Sequence, residues 1–241
     1  MIKLDYKKCG NWNIIYNKKC GNKKKLAFKN CGKENLMIFK RKIYTKMKEW
    51  KQESDGKTAL LIEGARRIGK STVVEEFAKN EYESYILIDF SRVSKEIKAL
   101  FEDVSDLNFL FLQLQLQYRV DLYERKSVII FDEVQLCPVA RQAIKALVAD
   151  HRYDYIETGS LISIKKNVRD ILIPSEERKL SMYPMDYEEF LWAVGDETTF
   201  SLLKKCFEMN QGLGEALNRK QLRQFRLYML VGGMPQAVLS Y

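Results

Sequence analysis

Residues 64–71 read Gly-Ala-Arg-Arg-Ile-Gly-Lys-Ser, two glycines and a lysine–hydroxyl pair at the spacing of a loop that holds a polyphosphate. Such a loop must bring several backbone N–H groups within hydrogen-bond reach of highly charged oxygens, and side chains would obstruct the approach. Gly64 and Gly69 stand where the backbone must turn and come close. Lys70 can set its ammonium between the β- and γ-phosphates of ATP, and the Ser71 hydroxyl can ligate Mg²⁺. Ala65, Arg66, Arg67 and Ile68 fill the loop, and Thr72 follows it, so 64–72 is the expected cofactor-binding stretch. A bare strand-to-helix turn is the competing reading, but the pattern arises by chance in a chain this long only about once in a hundred.

A second constellation begins at Val128, where Val-Ile-Ile-Phe leads into Asp132 and Glu133. A run apolar on both faces is what a central parallel strand requires, and ligands of such sheets bind at the carboxyl ends of the strands. Asp132 there completes a metal pair with Ser71, and Glu133 can orient or deprotonate a water that attacks the γ-phosphate. Thr158-Gly159-Ser160 presents two hydroxyls that face the γ-phosphate or the water, or else makes a simple turn, and both readings stand. The expected catalytic group is Glu133, Lys70, Thr158 and Ser160. Arg66, Arg67, Arg169, Arg178 and Lys179 are candidates to stabilise transition-state charge, in cis or in trans, and sequence does not choose among them. The lone His151 reads as a solvated loop residue.

Positioning these groups requires alternating strands and helices. Strand-like runs occupy 59–63, 84–90, 127–131 and 153–158, with a fifth at 178–183. Val73, Val74 and Phe77 make one face of a helix that opens at the end of the glycine loop. Residues 107–122 alternate like a strand at 112–117, yet Leu107, Leu110, Phe111, Leu114, Tyr118 and Leu122 keep helical spacing. A parallel crossover needs a helix there. From Asp186, where a capping box with Glu189 is spelled out, the texture turns helical, with apolar sets at 200, 203, 207 and at 222, 225, 229, 230, closed by Gly232-Gly233-Met234-Pro235. The expected organisation is an unstructured extension over 1–37, a core over 38–185 and a helical, lid-like region over 186–241.

The formal charge of +9 would point to a nucleic acid or an anionic membrane if it were spread over the surface. It is not, because residues 1–40 hold 11 Lys and Arg against 2 Asp and Glu, and the remainder of the chain balances 30 against 30. Weak phosphate contact through this leader remains an option, with no aromatic stacking platform to support it. Cys9, Cys20 and Cys31, each followed by glycine, recur every 11 residues, one thiol short of a closed zinc site unless His151 joins them. An odd set of five cysteines argues against a secreted disulfide framework, and no apolar run suits a signal peptide or a membrane span. A cytoplasmic protein without a membrane partner is expected.

Leu-Ile-Glu-Gly-Ala-Arg-Arg-Ile-Gly-Lys-Ser, Ile-Ile-Phe-Asp-Glu-Val-Gln, Glu-Thr-Gly-Ser, Tyr-Pro-Met-Asp-Tyr-Glu-Glu-Phe-Leu and Val-Gly-Gly-Met-Pro occur in this order. Together, over about 38–241, they resemble the prokaryotic AAA-type ATPases that carry a C-terminal domain of unknown function. The resemblance implies a three-layer α/β P-loop NTPase with a mostly parallel sheet of about five strands. It also implies ATP and Mg²⁺ as cofactors, Asp132 and Glu133 as hydrolytic carboxylates, Thr158 to Ser160 as sensor, and Gln135 as a positioner of the carboxylate pair. Members generally start near Met37 and run well past the Gly-Gly-x-Pro motif. Self-association or a protein client is the partner class this implies. The expected function is Mg-dependent ATP hydrolysis coupled to a conformational task. The alternatives are a nucleotide-gated switch with little hydrolysis and a small-molecule kinase, against which an adjacent Glu133 suits attack by water better.

Overall fold

The computed structural model describes residues 6–9, 12–15, 38–160 and 176–241, and the chain divides into two units, 1–37 and 38–241. In the first, β1 (Tyr6–Cys9) and β2 (Trp12–Ile15) pair antiparallel, where the sequence suggested no structure. The intervening Gly-Asn is a pair that favours a tight hairpin, and local pairing of this kind needs no hydrophobic core to define its register. Cys20, Cys31 and Arg169 lie outside the described residues. Among those described, no group of three or more His, Cys, Asp and Glu is placed to hold a metal, and no helix is long and apolar enough to cross a membrane.

In the second unit the strand-like runs become β3 (Ala59–Gly64), β4 (Ser84–Asp89), β5 (Ser127–Asp132), β6 (Asp154–Ser160) and β7 (Glu177–Met182). They form one parallel sheet in the order β4-β5-β6-β3-β7. Parallel strands need crossovers, and helices supply most of them. The helices are α1 (Ile43–Ser54), α2 (Lys70–Glu81), α3 (Lys95–Ala99), α4 (Leu107–Tyr118) and α5 (Pro138–Ala149). The ambiguous segment is thus helical, and it stops at Arg119, which adopts a left-handed backbone and turns the chain toward β5.

Alternation along each strand sends successive side chains to opposite faces. Leu60, Ile62, Val128, Ile130 and Ile156 pack with Met47 and Trp50 of α1 and with Val74 and Phe77 of α2. Leu61, Ile88, Ile129, Phe131 and Tyr155 pack on the other face with Phe111 and Leu114 of α4 and with Ile144 and Leu147 of α5. Three layers result, and β5 and β6 are buried at every position because both faces are covered. Helices α6 (Tyr187–Ala193), α7 (Thr199–Glu208), α8 (Glu215–Val231) and α9 (Pro235–Ser240) follow the sheet. Their own core is small: Met185, Phe190 and Val238, with Tyr187, Leu227 and Tyr228 against it.

Burial on both faces catches one acid. Glu157 in β6 is fully buried, and neither carboxyl oxygen has a hydrogen-bond partner among the described residues. Arg141 of α5 passes 3.8 Å from it but commits its guanidinium to Glu177 at 2.9 Å, and Lys179 lies 3.6 Å from that same Glu177. Burial, reinforced by the neighbouring Glu177 carboxylate, pushes the Glu157 carboxyl up to about 8. A raised acid is stabilising below its unfolded value of 4.5, and that stability is lost as pH rises toward the folded value. Glu157→Gln is therefore expected to match the parent in melts near pH 4.5 and to exceed it near pH 8 by on the order of 3 kcal/mol. Equal pH dependence in the two proteins would remove the assignment.

Candidate functional site

The glycine loop joins β3 to α2, and its two glycines are each required by what surrounds them. A Cβ on Gly64 would stand 2.3 Å from the Met182 carbonyl oxygen of β7 and 2.7 Å from the Ile68 side chain. Gly69 has φ +90, a left-handed backbone costly for any residue with a Cβ. Gly69 is also the N-cap of α2 and offers no capping side chain, so the first N–H groups of a helix of 12 residues face the loop unpaired by a cap. With them comes the positive end of the helix dipole. Ala65, Arg66 and Arg67 are exposed, Ile68 is buried, and Ser71 and Thr72 are half-buried. The Arg67 backbone is left-handed as well.

Lys70 is buried and donates to the carbonyl oxygens of Gly64 at 3.1 Å and Ala65 at 2.7 Å. Burial draws its ammonium below the ordinary lysine range, opposed by the Glu133 and Asp132 carboxylates and assisted by Arg66. The Ser71 hydroxyl donates to Asp132 Oδ1 at 2.8 Å. This contact joins the start of α2 to the end of β5, although β6 separates β5 from β3, the strand that leads into α2. From β6 the Thr158 hydroxyl donates to the same Oδ1 of Asp132, and it accepts the Glu133 N–H at 3.4 Å. Glu133 itself has φ 54, a strained backbone for a residue with a side chain, and its carboxylate accepts from the Gln135 amide. Ser160 ends β6 buried and in register with Gly64. The strand runs through Thr158, Gly159 and Ser160, so these residues are sheet, and the turn reading is set aside.

Lys70, Ser71, Asp132, Glu133 and Thr158 are thus assembled at the carboxyl ends of three parallel strands. Only oxygen donors converge at Ser71 and Asp132, a set that suits a hard divalent cation such as Mg²⁺. Arg178 and Lys179 are not part of the assembly. Parallel register sets them beside Leu60 and Leu61, about 10 Å or more of strand from the Gly64 end. There Arg178 pairs with Glu53 and Lys179 with Glu177.

Residues 56–191 match the AAA domain family. The chain belongs to that family. No curated protein sequence matches it. Among solved structures it is similar to a Walker-type ATPase of Pyrococcus abyssi, at 19% identity and a TM-score of 0.44, over 83% of this chain and 66% of that one. The chain therefore spans just under two-thirds of that protein's length.

Two further features of this AAA domain surround the loop without a motif to announce them. Arg41, in the segment that precedes α1, is buried and contacts the loop, the end of β7 and α6. Pro235 at the start of α9 approaches Gly69, where an added Cβ would meet its ring at 3.7 Å. The Gly-Gly-Met-Pro motif is pressed onto the chain ahead of α6: the Gly233 carbonyl accepts from Met185 N–H at 2.7 Å, and a Cβ on Gly233 would lie 2.0 Å from the Met185 oxygen. A cavity of 670 Å³ opens beside α2, lined by Phe39, Arg41, Tyr44, Val73, Glu76 and Trp192 among others. Arg41 escaped the sequence reading because it sits in a Lys-Arg-Lys run that looks like ordinary surface charge.

Proposed function

We propose that this AAA domain binds ATP with Mg²⁺ and hydrolyses it, and that the helical region of 186–241 responds to the nucleotide. The observation that carries the reading is the 2.8 Å meeting of Ser71 and Asp132 beside the uncapped start of α2, with Glu133 next in the chain. The loop N–H groups and Lys70 would take the β- and γ-phosphates, with the Lys70 ammonium exchanging its two loop carbonyls for phosphate oxygens. Ser71 and Asp132 would hold Mg²⁺, which neutralises phosphate charge when bound. Glu133 would accept the proton of the attacking water, and Thr158 would keep the Asp132 carboxylate in place. Ser160, at the end of the neighbouring strand, would complete the polar wall.

One observation favours a slower device. The Gln135 amide tethers one oxygen of the Glu133 carboxylate, and turnover is slowed if the carboxylate must swing free of that tether to reach a water. If that release awaits another signal, the chain is a nucleotide-gated switch with little turnover.

Phosphate release from ATP by the purified chain, with Mg²⁺ and after its removal by a chelator, decides between the two. Continuous release that stops on chelation is the expected result. Nucleotide binding with no release over hours would select the switch, and the absence of nucleotide binding would end both readings.

A further inference from the structure

Arg41 is far from the loop in sequence, yet its guanidinium reaches three separate segments. Nη1 donates to the Ile68 carbonyl at 2.8 Å and Nη2 to the Tyr183 carbonyl at 2.6 Å. Nε forms an ion pair with Glu189 Oε2 at 3.2 Å. Glu189 is itself held by backbone N–H groups of two segments. It completes the capping box that opens α6, and its Oε1 accepts the Lys42 N–H at 2.6 Å. The guanidinium is therefore fixed from behind by the helical region and points one donor into the phosphate loop.

The Ile68 carbonyl and the Gly69 N–H belong to one planar, trans peptide, so they point in opposite directions. Whatever holds the oxygen on one side aims the N–H to the other. Gly69 needs such a restraint more than other residues do, since glycine populates both signs of φ with little preference. Its φ is +90, and a Cβ built there would find the Pro235 ring at 3.7 Å and Arg41 Nη1 at 3.9 Å.

We infer that Arg41 is a positioning residue for phosphate binding: by holding the Ile68 oxygen it turns the Gly69 N–H toward the phosphate. Through Glu189 the same side chain makes that orientation depend on the helical region. The inference rests on the nucleotide reading above and deepens it. A lysine cannot replace this role, because a single ammonium on a flexible stem lacks the planar fork that addresses two carbonyls in fixed directions while its charge faces Glu189.

The readout is the preference for ADP over AMP, measured by titration of the full chain with both nucleotides. A general loss of structure would weaken both ligands, whereas a misdirected Gly69 N–H weakens the one whose additional phosphate needs the loop. Arg41→Lys is expected to reduce the preference about tenfold, one charge-assisted hydrogen bond's worth. Glu189→Gln leaves Arg41 in place but removes the charge that restrains it, and should reduce the preference about threefold; it keeps the question open to test if Arg41→Lys fails to fold. Either variant folded and retaining the parent's preference would overturn the inference and leave the nucleotide reading intact. A parent chain that shows no preference for ADP would overturn the nucleotide reading, and this inference with it.

Discussion

A Glu133→Gln chain is expected to bind ATP within about threefold of the parent and to release phosphate at least ~100-fold more slowly, the usual worth of a positioned general base. Glutamine keeps the shape of the side chain and can still bond Gln135, but it cannot take a proton from water. Its backbone already has φ 54 and gains no new clash from an isosteric replacement. Binding is largely spared because the proposed phosphate contacts come from the loop, α2 and Lys70, which the 133 carboxylate reaches only through its charge on Lys70. Single-turnover phosphate release beside a nucleotide titration checks both halves. A variant that turns over like the parent would show that some other group activates the water.

Lys70→Ala should behave differently, failing at the binding step. The ammonium rests on two carbonyls of its own loop, both of which are acceptors that solvent or the rest of the loop can satisfy when it is gone. The fold therefore survives. What is lost is one cation facing several phosphate oxygens, and charge-assisted bonds of about 1.5–3 kcal/mol amount to roughly a 100-fold weaker ATP affinity. Because burial already biases Lys70 toward its neutral form, with Asp132 and Glu133 opposing, arriving phosphates should strengthen the charged form and bind with proton uptake at alkaline pH. Calorimetric titration in two buffers of different ionisation enthalpy measures that uptake. Unchanged affinity in the variant would remove Lys70 from the site.

Most of the sheet was legible because parallel strands buried on both faces must be written in apolar residues, and Val128 to Phe131 admits no other reading. The loop was legible because glycine, lysine and a hydroxyl at fixed spacing have few other uses. Strand order was not legible: β6, late in the chain, lies between β3 and β5, so the Thr158 hydroxyl reaches Asp132 directly. The same hidden order buried Glu157, whose Tyr-Ile-Glu-Thr setting looks like an ordinary alternating strand. Arg178 and Lys179 looked eligible until parallel register placed them toward the opposite end of β7. Arg41 was invisible for a related reason. Its partners lie 27 and 142 positions away, and local pattern carries no record of contacts at that range.

The path of the chain around the glycine loop has one more consequence. Met182 abuts Gly64 and Pro235 abuts Gly69, so the polypeptide departs from one hinge of the turn and comes home to the other. Everything between is a detour, and within it Gly212 and Gly214 are exposed, with nothing within 4 Å of where a Cβ would stand. Length can be added or exchanged there without disturbing either point of return. Variety in what the detour touches is thus compatible with constancy in how the turn is gripped.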